Sequence, residues 1–203
     1  MPSRVPYTIQ ADVIDISRDV SKKGDFFFID TNIWYWLAYN PPAAPSPSYA
    51  NYFSSALVND STLCYSEILL PELAHIIETN ERNIFNRRHG SNFSVKGFRH
   101  NHPSQRVSIA SKVKLVWDQV KRDAHSLKLE LYDSAIGDRA ISRLESQMVD
   151  GYDLFILEIM ENENITKVIT HDSDYLTVPN IQVFTADTDV IDDARTQGKL
   201  LIR

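Results

Sequence analysis

Acidic side chains stand at four places where the sequence predicts that a strand ends or a helix begins. Asp30 and Asp172 follow predicted strands, whereas Glu72 and Asp153 lie in the first turns of predicted helices. Because ligands of open α/β sheets bind at the carboxyl ends of parallel strands, we expect these four acids to share one crevice. Neighbouring carboxylates repel one another, and Mg²⁺ or Mn²⁺ would neutralise such a cluster. The sequence therefore predicts a divalent-cation site.

The elements that must position these acids are predicted from apolar patterns. The run Phe26 to Ile29 is continuously apolar, which is typical of a strand buried on both faces in a parallel sheet. Further strands are predicted at 62–65, 167–170 and 181–184, and helices at 33–39, 48–58, from Pro71, from Pro103, after Gly137 and from Gly151. Strands that alternate with helices predict an α/β domain with a central parallel sheet.

Charge is segregated along the chain, whose formal net charge is −6. The segment 82–122 holds ten Lys or Arg and one acid, a balance of +9, so the rest carries −15. Aromatic residues are interleaved with these cations: Phe85, Phe93, Phe98 and Trp117. This pattern suits phosphate contact and base stacking. The candidate RNA-binding cations are Arg87, Arg88, Lys96 and Arg99. The equally weighted alternative is a basic surface that is only solvated, or that docks on the protein's own acidic face.

Other functional classes fit the sequence less well. A haloacid-dehalogenase phosphatase would need a second Asp where Asn32 stands, and no strand is followed by the Gly-x-Gly-x-x-Gly motif of a Rossmann cofactor site. No cysteine accompanies the histidines of the basic segment to complete a structural zinc site. Asp150 is an alternative to Asp153, which we prefer because an apolar helical pattern follows it.

Four motifs together resemble the PIN-domain nuclease superfamily, which includes VapC-type toxin ribonucleases. They are Asp30-Thr31-Asn32 after an apolar strand, Ser66-x5-Glu72-Leu73, Tyr152-Asp153-x2-Ile156, and Thr170-x-Asp172-x-Asp174-Tyr175. The resemblance spans Phe26 to about Phe184 and is interrupted by an insertion longer than that of small toxins. It implies a three-layer PIN-like fold.

The resemblance also implies roles for individual residues. Asp30, Glu72, Asp153 and Asp172 would be the catalytic and metal-binding acids, and Asp174 an additional metal ligand. Supporting hydrogen bonds would come from Thr31, Asn32, Ser66 and Thr170. The implied reaction is metal-assisted hydrolysis of RNA by one or two Mg²⁺ or Mn²⁺ ions, without a covalent intermediate. The alternative is a non-catalytic PIN-like module that binds RNA or serves as a scaffold.

We divide the 203 residues into an N-terminal extension at 1–24 and a PIN-like nuclease domain at 25–203. This domain carries a basic, partly helical insertion at about 82–147, in which we expect 82–97 to be irregular or mobile. The pattern does not assign structure to the tail 187–203. No apolar segment resembles a secretory signal or a membrane span, so we expect a cytoplasmic protein. An antitoxin protein is an expected partner, and the choice between monomer and homodimer stays open.

Overall fold

A parallel sheet of seven strands forms the centre of the protein, in a computed structural model that describes residues 6–41, 47–128 and 135–203. The strands are β1 (Asp12–Asp15), β2 (Phe26–Ile29), β3 (Thr62–Ser66), β4 (His125–Leu127), β5 (Lys167–Ile169), β6 (Gln182–Thr185) and β7 (Leu200–Leu201). Their order across the sheet is β4-β3-β2-β5-β6-β1-β7, and every neighbouring pair is parallel.

Both faces of this sheet are covered. Phe27, Phe28 and Ile29 are consecutive in β2 and all fully buried, although successive side chains of a strand point to opposite faces. Helices must therefore pack on each face, as expected for an all-parallel sheet. The three-layer α/β class with a central parallel sheet is confirmed.

Eight α-helices connect the strands in the described ranges: α1 (Thr31–Trp34), α2 (Pro47–Val58), α3 (Leu69–His89), α4 (Val95–Asn101), α5 (Pro103–Asp123), α6 (Ile136–Ser146), α7 (Asp153–Asn162) and α8 (Thr188–Thr196). A π-helix at Tyr35–Tyr39 continues α1, and a 3₁₀ helix covers Ser173–Thr177. Asp30 caps α1, since its side chain accepts a hydrogen bond from the backbone N–H of Thr31.

The prediction that residues 82–97 are irregular or mobile is wrong. Helix α3 continues to His89 and ends at Gly90, whose φ of 60° suits the left-handed conformation of a C-cap. The short connection to α4 is fixed by Asn86, whose side chain hydrogen-bonds both the backbone N–H and the backbone carbonyl of Phe93. This stretch is therefore helical with one well-held turn.

The expected base-stacking role of three phenylalanines is corrected by their packing. Phe85 and Phe98 have ring centroids 5.2 Å apart, Phe93 lies 6.2 Å from Phe85, and Phe98 is only 2% exposed. These rings belong to a second apolar cluster between α3, α4 and α5, apart from the main core around the sheet. Their hydrophobic burial holds the three helices together.

Both termini of the described chain add strands to the sheet. β1 lies between β6 and β7, so residues from the segment predicted as an N-terminal extension pair with the central sheet. In the unassigned tail, α8 and β7 pack against β1. Arg203 then forms ion pairs with the largely buried Asp19 and Asp25 and lies over the ring of Phe184, 4.6 Å from its centroid.

Among the helices of the described residues, none is both long enough and apolar enough to cross a membrane.

Candidate metal centre at the carboxyl edge of the sheet

The topology places a crevice at the carboxyl end of β2. The chain proceeds from β2 to β3 on one side, and later adds β5 on the other side of β2. Such a reversal of strand order separates the loops that follow the two strands, and ligands of α/β sheets bind there. Asp30 follows β2 and Thr170 follows β5, so both residues border this crevice.

Asp30 is held at this point by three hydrogen bonds. Its Oδ1 accepts from the backbone N–H of Thr31 at 2.6 Å. Its Oδ2 accepts from the amide of Asn32 at 2.6 Å and from the hydroxyl of Thr170 at 2.5 Å. The side chain is only 4% exposed, and these donors fix its orientation. Thr31, Asn32 and Thr170 thus all hydrogen-bond the carboxylate of Asp30.

Glu72 reaches the same edge from the first turn of α3. Its Oε2 accepts a 2.7 Å hydrogen bond from the hydroxyl of Thr31, the residue that follows Asp30. The contact couples α3 to the start of α1, and it brings Glu72 beside the carboxylate of Asp30.

Asp153 enters the site as the first residue of α7. Its backbone N–H donates to the carbonyl of Asp150 in the preceding turn, at 3.0 Å. Its Oδ1 accepts a 2.8 Å hydrogen bond from the hydroxyl of Tyr175, which is completely buried. The position at a helix N-terminus favours the negative charge of Asp153.

Asp172 and Asp174 follow β5 in the 3₁₀ turn. The backbone N–H of Asp172 donates to the hydroxyl of Thr170 at 2.9 Å, and Oδ1 of Asp172 accepts from the backbone N–H of Asp174 at 2.9 Å. Thr170 therefore contacts both the segment of Asp172 and the carboxylate of Asp30.

The acids are close enough for their charges to act on one another. Burial raises the pKa of Asp30 to about 7, with further increases from the charges of Glu72 and Asp172. Burial raises the pKa of Asp153 to about 8, and the charges of Asp30, Glu72 and Asp172 add to this effect. The pKa of Glu72 is also raised, first by burial and then by Asp172 and Asp150. The structure thus brings together all four predicted acids.

Asp174 lies on the more open side of this cluster. Its pKa is raised by burial and by the charges of Asp172 and Asp150. Asp150, the alternative that we ranked below Asp153, therefore contributes charge near both Asp174 and Glu72. The exposed Asp150 and the half-buried Asp153 both belong to the acidic site.

Oxygen atoms suited to a hard cation remain open in the cluster. Oε1 of Glu72, Oδ2 of Asp153 and Oδ2 of Asp172 accept no hydrogen bond from the described residues, whereas the other oxygen of each carboxylate does. Carboxylate oxygens are the ligands that Mg²⁺ and Mn²⁺ prefer. Among the described residues, no three His, Cys, Asp or Glu side chains have the geometry to hold an ion as they stand. The donor chemistry fits a divalent cation, and side-chain rotations would have to complete the ligand set.

Ser66 ends β3 beside this site. The pairing of Phe28 with Cys64, continued for two residues, sets Ser66 opposite Asp30. The Ser66 hydroxyl is fully buried and has no hydrogen-bond partner among the described residues. An unsatisfied buried hydroxyl costs free energy of folding, which suggests that it serves a group that binds at this edge.

Two features of the site were not predicted. Tyr175 was part of the quoted motif, but nothing in the sequence showed that its hydroxyl would reach Asp153. His171 lies between Thr170 and Asp172 and is held by two contacts: the Tyr49 hydroxyl lies 2.9 Å from its Nδ1, and Asp187 lies 3.5 Å from its Nε2. Trp36 packs edge-on against the same ring.

The four predicted RNA-binding cations have different environments. Arg99 donates two hydrogen bonds to the buried carboxylate of Glu78, so this cation docks on an acid of the protein itself. Arg87, Arg88 and Lys96 are exposed and form no ion pair with the described residues. Arg99 thus follows the alternative of internal charge pairing, whereas the other three remain accessible.

Comparisons with known proteins found similarity in structure and none in sequence. No protein-family model matches it, and no similar sequence is found among curated proteins. One similar solved structure is the crystal structure of VapBC2 from Rickettsia felis bound to a DNA fragment from their promoter. The match has a TM-score of 0.48 and 18% identity, and it covers 79% of this chain and 98% of the matched chain. At these values the similarity assigns neither a family nor an activity to the chain.

Proposed function

We propose that the chain is a metal-dependent endonuclease, and specifically an endoribonuclease that hydrolyses phosphodiester bonds of RNA. Asp30, Glu72, Asp153 and Asp172 would hold Mg²⁺ or Mn²⁺, with Asp174 as an additional ligand. The RNA substrate is inferred from the motif resemblance and from the basic segment 82–122.

The proposal is carried by one observation, the convergence of four carboxyl groups from distant parts of the chain in a partly buried crevice. Without a cation, burial and mutual repulsion keep the pKa values of Asp30 and Asp153 at about 7 and about 8. A protein gains little stability from placing such acids together. A bound divalent cation would remove this repulsion, so cation binding explains why the four carboxyl groups lie together.

The protein residues would orient the cation and the substrate. Thr31, Asn32 and Thr170 hold Asp30, while Tyr175 holds one oxygen of Asp153 and leaves the other free. A divalent cation bound by these acids would activate water for attack and neutralise charge that develops on the phosphate. The open oxygens of Glu72 and Asp172 would fix its position.

A cleavage assay with single-stranded RNA and Mn²⁺ tests the proposal. The wild-type protein should cleave the RNA internally, EDTA should stop the reaction, and Asp30→Asn should abolish it while the protein stays folded. Asp12→Asn is the matched control, since Asp12 lies in β1, on the part of the sheet away from the crevice, and should keep full activity. Full activity of Asp30→Asn in Mn²⁺ would defeat the proposal.

The second candidate is a non-catalytic module that binds RNA or serves as a scaffold. It is favoured by the finding that no three acids in the described ranges are already arranged around an ion. Metal titration distinguishes the two, because ligand binding to the folded state stabilises it by RT ln(1 + [L]/Kd). A nuclease should gain thermal stability as Mn²⁺ is added, whereas a scaffold should not respond.

A toxin role, an antitoxin partner and a cytoplasmic location follow from the motif resemblance and the sequence pattern, and they belong to this proposal. Expression of the wild-type chain should arrest cell growth, and Asp30→Asn should relieve the arrest. Growth that is unaffected by the wild-type chain would contradict the toxin role without contradicting nuclease activity.

A further inference from the structure

A groove of about 690 Å³ runs between α3 and α5 and begins at the acidic site. Glu72 and Tyr152 line it at this end, and Tyr152 directly precedes Asp153. The groove then follows α3 towards Glu78, where Arg99 and Arg106 line it. It is therefore continuous with the crevice in which the four acids converge.

One wall of the groove is an apolar stripe of α5. Ile109, Val113 and Trp117 recur at intervals of four residues, which places them on one face of the helix. The ring of Trp117 is partly exposed and is held edge-on by Tyr65, with centroids 5.3 Å apart. Tyr152 adds a second aromatic ring, 43% exposed, on the side of α7. The groove thus offers flat apolar surfaces beside the acids.

Two cations border these apolar surfaces. Arg106 and Lys114 both line the groove, and their side chains are exposed. Glu78 lies within the groove, but Arg99 binds both of its oxygens, and Arg106 approaches it only to 3.9 Å. No carboxylate of the described residues lies within ion-pair distance of Lys114. Arg106 and Lys114 therefore provide positive charge along the groove that a ligand can contact.

We propose that this groove binds the single-stranded part of the RNA next to the bond that is cut, and this inference rests on the proposed function. Arg106 and Lys114 would contact phosphates, while unpaired bases would stack on Tyr152 and Trp117. Bases in a duplex are stacked on each other and cannot reach these rings, so the groove selects single strands. A purely apolar peptide would offer no anion to either cation, so the charge favours a polyanion.

Binding can be measured apart from cleavage in the full-length Asp30→Asn protein without added metal. The probe is a fluorescently labelled single-stranded oligouridine, followed by fluorescence polarisation over a series of salt concentrations. For single strands, each phosphate that a protein cation neutralises contributes about 0.7 to the magnitude of the slope of log K against log salt. Arg106→Gln/Lys114→Gln removes two such cations, so it should reduce the slope by about 1.4 and weaken binding at low salt.

The matched control is Lys22→Gln/Lys23→Gln, which removes the same charge from exposed residues that precede β2, at the opposite edge of the sheet. It should leave the slope near that of the parent protein. Tyr152→Ala should weaken binding about tenfold, whereas Tyr152→Phe should retain it, because stacking needs the ring and not the hydroxyl. Duplex RNA of the same length should bind more weakly than the single strand.

Unchanged slope and affinity in the Arg106/Lys114 double variant would overturn the proposal. An apolar segment of a protein partner would then be the remaining candidate occupant of the groove. An equal reduction in the control double variant would also overturn it, since the charge effect would then be general. These results are independent of cleavage. If the groove fails to bind RNA while the protein still cleaves RNA, only the groove proposal is contradicted. If the protein fails to cleave RNA while the groove binds it, only the nuclease proposal is contradicted.

Discussion

The buried hydroxyl of Tyr175 donates a 2.8 Å hydrogen bond to Oδ1 of Asp153, which links the 3₁₀ turn after β5 to the first residue of α7. The link joins the segment that carries Asp172 to the helix that carries Asp153. It also leaves Oδ2 of Asp153 directed away from that partner. Tyr175 is thus a positioning residue for the acidic site.

Replacement of this hydroxyl should alter the titration of the site. Tyr175→Phe removes a hydrogen bond that lowers the pKa of Asp153, so the pKa of Asp153 should rise further. The acidic limb of the pH profile for RNA cleavage should then move to higher pH, with loss of kcat and little change in KM. Tyr7→Phe, which removes a hydroxyl bonded to the backbone of Ser173, is the control and should leave the limb in place. An unmoved profile in Tyr175→Phe would show that the contact is only structural.

The raised pKa values predict how stability depends on pH without metal. An unfolded chain loses the Asp30 proton near its ordinary pKa of 3.8, whereas the folded protein keeps it until about pH 7, and the Asp153 proton until about pH 8. The folded state binds more protons in this range, so its stability should fall as the pH rises from about 4 to about 8. Urea denaturation at a series of pH values measures this slope.

Two comparisons isolate the contribution of Asp30 and the neighbouring acids to this decline in stability. Asp30→Asn cannot acquire the charge, so it should show a shallower decline than wild type. Saturating Mn²⁺ should likewise flatten the decline, because the cation favours the charged carboxylates. A slope that is identical in all three samples would contradict the coupling of Asp30 to its neighbours.

The strands around the site were predictable because they are continuous apolar runs, and continuous burial is a local property of the sequence. The acids were predictable because each stands where such a run ends or where a helix begins. These patterns predicted the α/β class with a central parallel sheet, and the structure confirmed it. The assignment of metal ligands and substrate stays a prediction.

Other elements depend on contacts that the local sequence does not reveal. β1 has only four residues, Asp12–Asp15, and its register partner for Asp12 is Gln182 near the other end of the chain. The second half of α3 buries few residues, so its apolar period is weak, and its order depends on Asn86 and on contacts with α4. The orientation of Tyr175 towards Asp153 has the same non-local cause.

A buried ion cluster should hold α6 against α7. The carboxylate of Glu158, only 2% exposed, accepts hydrogen bonds from Arg139 and Arg143 of α6. Glu158→Gln removes the buried anion that Arg139 and Arg143 share, and it should destabilise the fold by about 3 kcal/mol. Glu161→Gln is the control, because Glu161 binds the same Arg143 but is largely exposed, so its loss should cost less than about 1 kcal/mol. Equal effects in urea denaturation would contradict a special role for the buried carboxylate.

Replacement of Ser66 should affect the stability of the protein and its binding of a ligand in different ways. Its buried hydroxyl lacks a partner among the described residues, so Ser66→Ala should leave the metal-free protein equally stable or more stable. If the hydroxyl supports the acidic site, the thermal stabilisation produced by Mn²⁺ should decrease in the same variant. Thr79→Ala is a matched control, since Thr79 also has a buried hydroxyl without a partner among the described residues and lies further along α3. An unchanged response to Mn²⁺ in Ser66→Ala would remove Ser66 from the site.

The location of β1 has a consequence for the order in which the molecule can assemble. β1 pairs with β6 and β7, which come after all the other strands of the sheet in the chain, so during synthesis β1 must wait until these two strands have emerged. Contacts between such distant segments form slowly, because the chain between them must lose conformational entropy before the strand pairing contributes any stability. The five strands from β2 to β6 can form earlier, with β6 as a temporary open edge that the waiting N-terminal segment finally covers.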